Sequence, residues 1–226
     1  MALPVADLAV ARVSKAPLSA EELERRRPVW DAMSDVFLDT ETRWAMPRIA
    51  FALVQSGYAK EQLDAIWRDE IIPECAWNLH QVAGEWALFV LDEEALAARA
   101  AGKKPLLERI AGVATPAFVD VQWRAILDLR EALLALPEER RAERAAMWTA
   151  FVHAYLEASL EKVLFLEKHV ETLRATGASE EALVAAFLEV RPIFRALLID
   201  DELGDEERRA RDVRVAIGLA TQGTAP

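Results

Sequence analysis

The chain has 226 residues, 53% apolar and 29% charged, with 27 basic against 38 acidic side chains and a net charge of −11. This is the balance of a globular protein able to bury a sizeable core, and it excludes a disordered chain. So acidic a surface repels phosphate backbones and suits a basic partner instead, so no nucleic-acid role is expected.

Only 8 glycines, beside abundant Ala, Leu, Glu and Arg, favour helix, and 10 prolines act as punctuation. Residues 1–17 carry no helical stripe and read as a flexible arm. Ser19-Ala20-Glu21-Glu22 then has the form of a capping box, with a serine acceptor and a glutamate reaching back. The helix it opens should break near Pro28, which suits the first turn of a second helix. That second helix carries Trp30, Met33 and Phe37 inward and ends near Thr40. The basic run Arg25-Arg26-Arg27, flanked by Glu21, Glu22 and Glu24, reads as a solvated helix end.

A further segment ends at Gly57, the expected left-handed stop, and a helix follows from about Ala59 to Ile72. Leu63, Ile66, Trp67 and Glu70 keep its three-four spacing. Pro73, Gly84, Gly102 and Pro105 divide the next stretch into short helices, one capped by Asp92. After residue 112, Pro116 opens a long helix to Leu136. Pro137 starts a longer pattern ending at Gly177, with Trp148, Val152, Tyr155, Val163, Leu166, Val170 and Leu173 as its inner stripe. Ser179 caps another helix, and a last one spans about Asp205 to Leu219. No hairpin signal or alternating strand pattern occurs. The expectation is an all-α bundle of about nine helices, with an N-terminal domain over 18–112, a long-helix bundle over 113–220 and a frayed tail at 221–226. Trp30, Phe37, Trp67, Trp123, Trp148 and Tyr155 form its core.

One internal echo stands out. Residues 56–73 (SGYAKEQLDAIWRDEIIP) and 176–192 (TGASEEALVAAFLEVRP) share a small residue and Gly, an acidic first turn, Leu, an aromatic, Glu and Pro, once one gap is allowed. Two ordinary helices with ordinary caps explain it more simply than a duplicated hairpin.

Motifs for chemistry are scarce. There is no glycine-rich phosphate loop and no nucleophile elbow. None of His80, His153 and His169 has a glutamate three residues before it, as a di-iron bundle requires. The lone Cys75 excludes an intrachain disulfide, is compatible with a reducing cytoplasm, and reads as a buried structural thiol. No apolar run reaches membrane-spanning length, and the N-terminus lacks a signal-peptide pattern, so a cytoplasmic protein without membrane or cofactor is expected. His153 with Glu157, and Glu70 with Glu74, read as helix-surface pairs.

Two sets of residues remain. Asp31, Asp35 and Asp39 stand four apart on one helix face, with Arg27 and Arg43 beyond the ends to offset their repulsion. Three readings stay open: a solvated or partner-facing surface, a cap for the next segment, or a metal or catalytic site. Trp44, Trp77 and Trp86 fall near helix ends, where a half-exposed indole beside acid makes a protein-binding patch. The partner-binding candidates are therefore Asp31, Asp35, Trp44, Trp77 and Trp86.

From Arg27 to Phe89, the stretches RPVWDAMSDVFLDTE, IAFALVQSGYAKEQLDAIWRDEIIPE and NLHQVAGEWALF resemble an uncharacterised family of small bacterial helical domains. The chain departs from its pattern at Ala59 and Lys60, where members carry Ser and Glu. The resemblance implies a bacterial source and a helical fold, and no site.

The functional expectation is a protein-binding module, most concretely an immunity or antitoxin-like neutraliser of a basic toxin, because opposite charge speeds capture. The alternatives are a divalent-metal enzyme using Asp31, Asp35, Glu70 or Glu85, and a homo-oligomer joined through the C-terminal helices.

Overall fold

A computed structural model of the chain describes residues 17–38, 42–76, 91–102, 117–157, 164–198 and 206–222. Among them are nine helices and no strand. α1 (Ala20–Ser34) starts at the expected cap, where Ser19 Oγ accepts from the Glu22 amide at 3.2 Å. The reciprocal half of the capping box is not made, because Glu22 turns instead to Arg26 (3.1 Å) and to the Tyr58 hydroxyl (2.7 Å). Nor does α1 break at Pro28. Proline removes the amide that would bond to the Glu24 carbonyl, but both residues lie on the exposed side, where water can serve that carbonyl. Val29, Trp30 and Met33 on the other side are buried and hold the helix to the core. The helix then tightens into a 3-10 turn, Asp35–Phe37, and the expected end near Thr40 lies outside the described residues.

A second 3-10 turn, Arg43–Ala45, leads into α2 (Met46–Gln55), which packs against α1 and against two later helices, α5 (Ala117–Leu134) and α6 (Glu138–Glu157). Apolar contacts therefore join segments on either side of residue 112. α3 begins as a regular helix, Lys60–Ile66, widens into a π-helical turn, Trp67–Ile71, and closes with Ile72–Cys75. Pro73 does not end it, as its sequence suggested. The Ile72 amide reaches back five residues to the Trp67 carbonyl, and this wider turn carries the chain past the proline. α4 (Glu93–Ala100) is capped by Asp92, whose Oδ1 accepts from the Ala95 amide at 3.0 Å.

The long pattern expected to run unbroken to Gly177 is two helices, α6 and α7 (Leu164–Ala175), lying side by side. Folding back buries Val170 and Leu173, which a single rod would leave without a neighbour on that side. α8 (Glu180–Leu197) and α9 (Glu206–Thr221) complete the bundle, tied by Arg191 on Glu206 at 2.8 Å. The large side chains read from the stripes are inside, including Trp30, Phe37, Trp67, Trp148 and Tyr155. Cys75 is buried, and that burial pushes its thiol up to about 12, with Glu74 adding to the effect and Arg99 opposing it. No helix among the described residues is long and apolar enough to cross a membrane.

Glu70 corrects a further expectation. It is 5% exposed, not one of a surface pair with Glu74. Its carboxylate accepts from Trp30 Nε1 at 2.7 Å and from the Arg26 guanidinium, while Glu74 pairs with Arg99 at 3.0 Å. The basic run read as a solvated helix end is so for Arg25 and Arg27, whose side chains keep 45% and 37% of their surface, while Arg26 is tucked in and bridges Glu22 and Glu70. Arg25 lies 3.9 Å over the Tyr58 ring and Arg27 reaches Glu24 and Glu93. Arg26 and the Trp30 indole are the donors that offset the lost hydration of the buried Glu70 carboxylate.

Candidate functional site

Two members of the aspartate row lie within the described residues, in different surroundings. Asp31 is exposed on α1, Asp35 is half-buried at the start of the 3-10 turn, and Asp39 lies outside the described residues. Arg48 of α2 pairs with Asp35, Arg27 reaches Glu24 and Glu93, and Arg43 donates to the Leu197 carbonyl at 3.1 Å. The Asp35 carboxyl is held above its ordinary value, first by burial, with Arg48 opposing and Asp31 reinforcing the shift. Trp44 is half-buried, with its ring centre 5.3 Å from that of His153 and 5.9 Å from the Arg48 guanidinium carbon. The structure thus brings Asp35 and Trp44 together through Arg48 and leaves Asp31 to solvent. Trp77, Trp86 and Glu85 lie outside the described residues. Among the described residues, no three His, Cys, Asp or Glu side chains converge in a metal-holding group.

An acidic cleft of about 320 Å³ opens between α3 and α5. Glu61, Asp64 and Asp120 line it together with Trp67, Trp123, Arg68 and Ile72. Helical spacing explains the gathering. Glu61, Asp64 and the pair Trp67-Arg68 follow one another at three or four residues along α3, and Asp120 precedes Trp123 by three on α5. The two indoles stack with ring centres 4.6 Å apart and an interplanar angle of 7°, and Phe37 supports Trp67 from 5.2 Å. Trp123 Nε1 donates to Asp64 Oδ1 at 2.9 Å, which fixes that carboxylate against the ring. The Trp67 indole N–H is buried with no acceptor among the described residues. The π-helical turn starts at Trp67, so the irregular backbone forms part of the cleft wall. Next to Asp120 in sequence, α5 exposes Phe118 and Val121, 47% and 40% accessible.

The carboxylates and indoles of this cleft were each visible in the sequence, but Trp67 and Trp123 read as core alone. Both are core, and their edges also face the cleft. A second cleft, of about 530 Å³, lies where α2, α6 and α7 meet, and it draws together His153 and His169, which are 16 positions apart in the chain. No sequence spacing announces that pair, because their meeting depends on α7 folding back along α6.

Residues 24–126 match the family model of a domain of unknown function, DUF7079. The resemblance read from Arg27 to Phe89 falls inside that segment, and the match extends beyond it into α5. Every residue of the acidic cleft lies within the DUF7079 segment, whereas α6 to α9 lie outside it. No curated protein and no solved structure matches the chain.

Proposed function

We propose that this protein is a binding module for a basic protein, and that the acidic cleft of the DUF7079 segment receives a basic side chain of that partner. The observation that carries the reading is the placing of Glu61, Asp64 and Asp120 around the stacked Trp67 and Trp123. Carboxylates attract a guanidinium or ammonium, and the indole edges give that charge pair an apolar wall where water is thin. A net charge of −11 would steer such a partner to the surface before it docks. In its most concrete form the module is a cytoplasmic neutraliser of a basic bacterial toxin. Of the carboxylates named for the metal-enzyme alternative, Asp35 and Glu70 are engaged by arginines, Asp31 is exposed and Glu85 lies outside the described residues.

Binding of an arginine decapeptide at physiological salt tests the cleft. Glu61→Lys with Asp120→Lys, both on exposed positions, should weaken binding at least tenfold. Glu138→Lys with Glu139→Lys changes net charge equally on α6 and should weaken it less than threefold. Equal losses in the two pairs would reduce the interaction to net charge and defeat the reading.

A second reading has its own observation. Val184 and Leu188 on α8, and Val215 and Leu219 on α9, are exposed, each pair four residues apart. These apolar pairs favour association between copies through the C-terminal helices. Sedimentation equilibrium of the wild type and of Leu188→Glu would show it as a concentration-dependent mass that the variant loses.

A further inference from the structure

We propose that the cleft between α2, α6 and α7 binds a small anionic amphiphile, an apolar chain ending in a carboxylate. Its volume of about 530 Å³ falls in the range of small-molecule sites. Its floor is a row of alanines on α6, Ala142, Ala145, Ala146 and Ala150, with Phe51 of α2 completing an apolar wall. From residue 142 to residue 153 a helix rises about 16 Å, enough for an extended chain of ten carbons. Ala142, Ala145 and Ala146 come first along α6, and Thr149, Ala150 and His153 follow toward its far end. On α6 the cleft therefore has an apolar end and a more polar one.

The sign of the head group follows from the rest of the lining. In a chain with 38 acidic side chains, none of the described residues that line this cleft is acidic. The polar groups that do line it are Arg48, Thr149, His153, His169 and Thr172. Among the described lining residues, Arg48 supplies the one permanent charge. Asp35 engages its Nη2 from outside the cleft, which leaves guanidinium donors to face inward. One cation, already partly offset by Asp35, matches a monoanion better than a dianionic phosphate. Trp44, packed against His153 and near Arg48, holds both at the mouth. This site shares no residue with the acidic cleft, and its ligand has the opposite charge, so either can fail without the other.

Isothermal titration of the full chain with decanoate, decan-1-ol and decyl phosphate tests the assignment. Decanoate should bind saturably at one site, with the alcohol and the phosphate ester each at least tenfold weaker. Ala146→Trp fills the cleft from an exposed position on α6 and should weaken decanoate at least tenfold, and Ala142→Trp provides the same block should the first variant unfold. Arg48→Gln should weaken decanoate about tenfold and leave decan-1-ol unchanged. Absence of saturable decanoate binding, insensitivity to the tryptophan block, or equal affinity for acid and alcohol would each overturn the proposal.

Discussion

The hairpins α2–α3 and α7–α8 make the same turn and then diverge. In each, a hydroxyl residue ends the first helix and bonds back three residues, Ser56 Oγ to the Leu53 carbonyl at 2.7 Å and Thr176 Oγ1 to the Leu173 carbonyl at 2.6 Å. Each hydroxyl also accepts from an amide two residues on, at 3.3 Å in both. Gly57 and Gly177 follow with φ of +68° and +64°, and Ala59 and Ser179 enter the second helix at nearly identical angles. The gap needed to align the two stretches has a structural counterpart. α3 holds a π-helical turn where α8 stays regular, and a π turn accommodates one extra residue without rotating the helix beyond it. Both helices then run on through a proline, Pro73 and Pro192. Where α3 places Glu70 in the core among donors, α8 places Val190, fully buried. One turn chemistry thus serves a polar junction in one half and an apolar one in the other.

Exchanging those two residues breaks the comparison most severely. Glu70→Val removes the acceptor of the Trp30 indole and the partner of Arg26, and should cost about 3 kcal/mol, the loss seen when one member of a buried pair is removed. Val190→Glu puts a carboxylate at a fully buried apolar position, and about 3–5 kcal/mol is expected. Urea unfolding of both variants measures this. A loss below about 1 kcal/mol at either position would show that the two junctions tolerate polarity alike.

The comparison also shows what a sequence discloses. Helix starts at Ser19, Asp92 and Ser179 were legible because each cap is one side chain bonding an amide three residues on. Gly57 and Gly177 were legible because a left-handed residue is a local demand. Pro28 and Pro73 misled for one reason. Pro28, Pro73 and Pro192 all sit inside helices, and whether a proline breaks a helix depends on what serves the freed carbonyl. That is decided by exposure or by a π turn, neither of which is written in the local residues. Glu70 followed the inner stripe of α3, yet its charge argued for the surface. Its partners Arg26 and Trp30 lie 44 and 40 residues away, so only the packed fold reveals that the charge is offset. The pairing of His153 with His169 needed the same long-range information.

Smaller effects should appear at the caps. Ser179 Oγ accepts from the Ala182 amide at 3.2 Å, while Ala59 occupies the same backbone conformation with no acceptor to offer. Gln62 supplies only the reciprocal bond there, from the Ala59 amide at 2.9 Å. Ser179→Ala should therefore cost about 1 kcal/mol and Ala59→Ser should gain a similar amount. Thermal unfolding would register the two as opposite shifts in Tm. A destabilising Ala59→Ser would mean that the matching angles conceal different surroundings.

The smallest effect concerns Asp35, whose carboxyl lies above its ordinary value in the folded chain through burial, despite Arg48 and with help from Asp31. A raised carboxyl favours the folded state while it is protonated, and that stability is lost as pH rises through the folded value. At neutral pH the ionised group therefore weighs against folding, and Asp35→Asn should raise stability by about 0.5 kcal/mol or less. The advantage should shrink as pH falls through the folded value, where the wild-type group becomes neutral too. Arg48→Gln should act in the opposite sense at neutral pH, because it removes the compensating charge. Adding Asp35→Asn to Arg48→Gln should then restore most of the loss, a non-additivity that a double-mutant cycle reads directly. An Asp35→Asn variant less stable than wild type at pH 7, with the gap closing in acid, would show that Arg48 outweighs burial at this carboxylate.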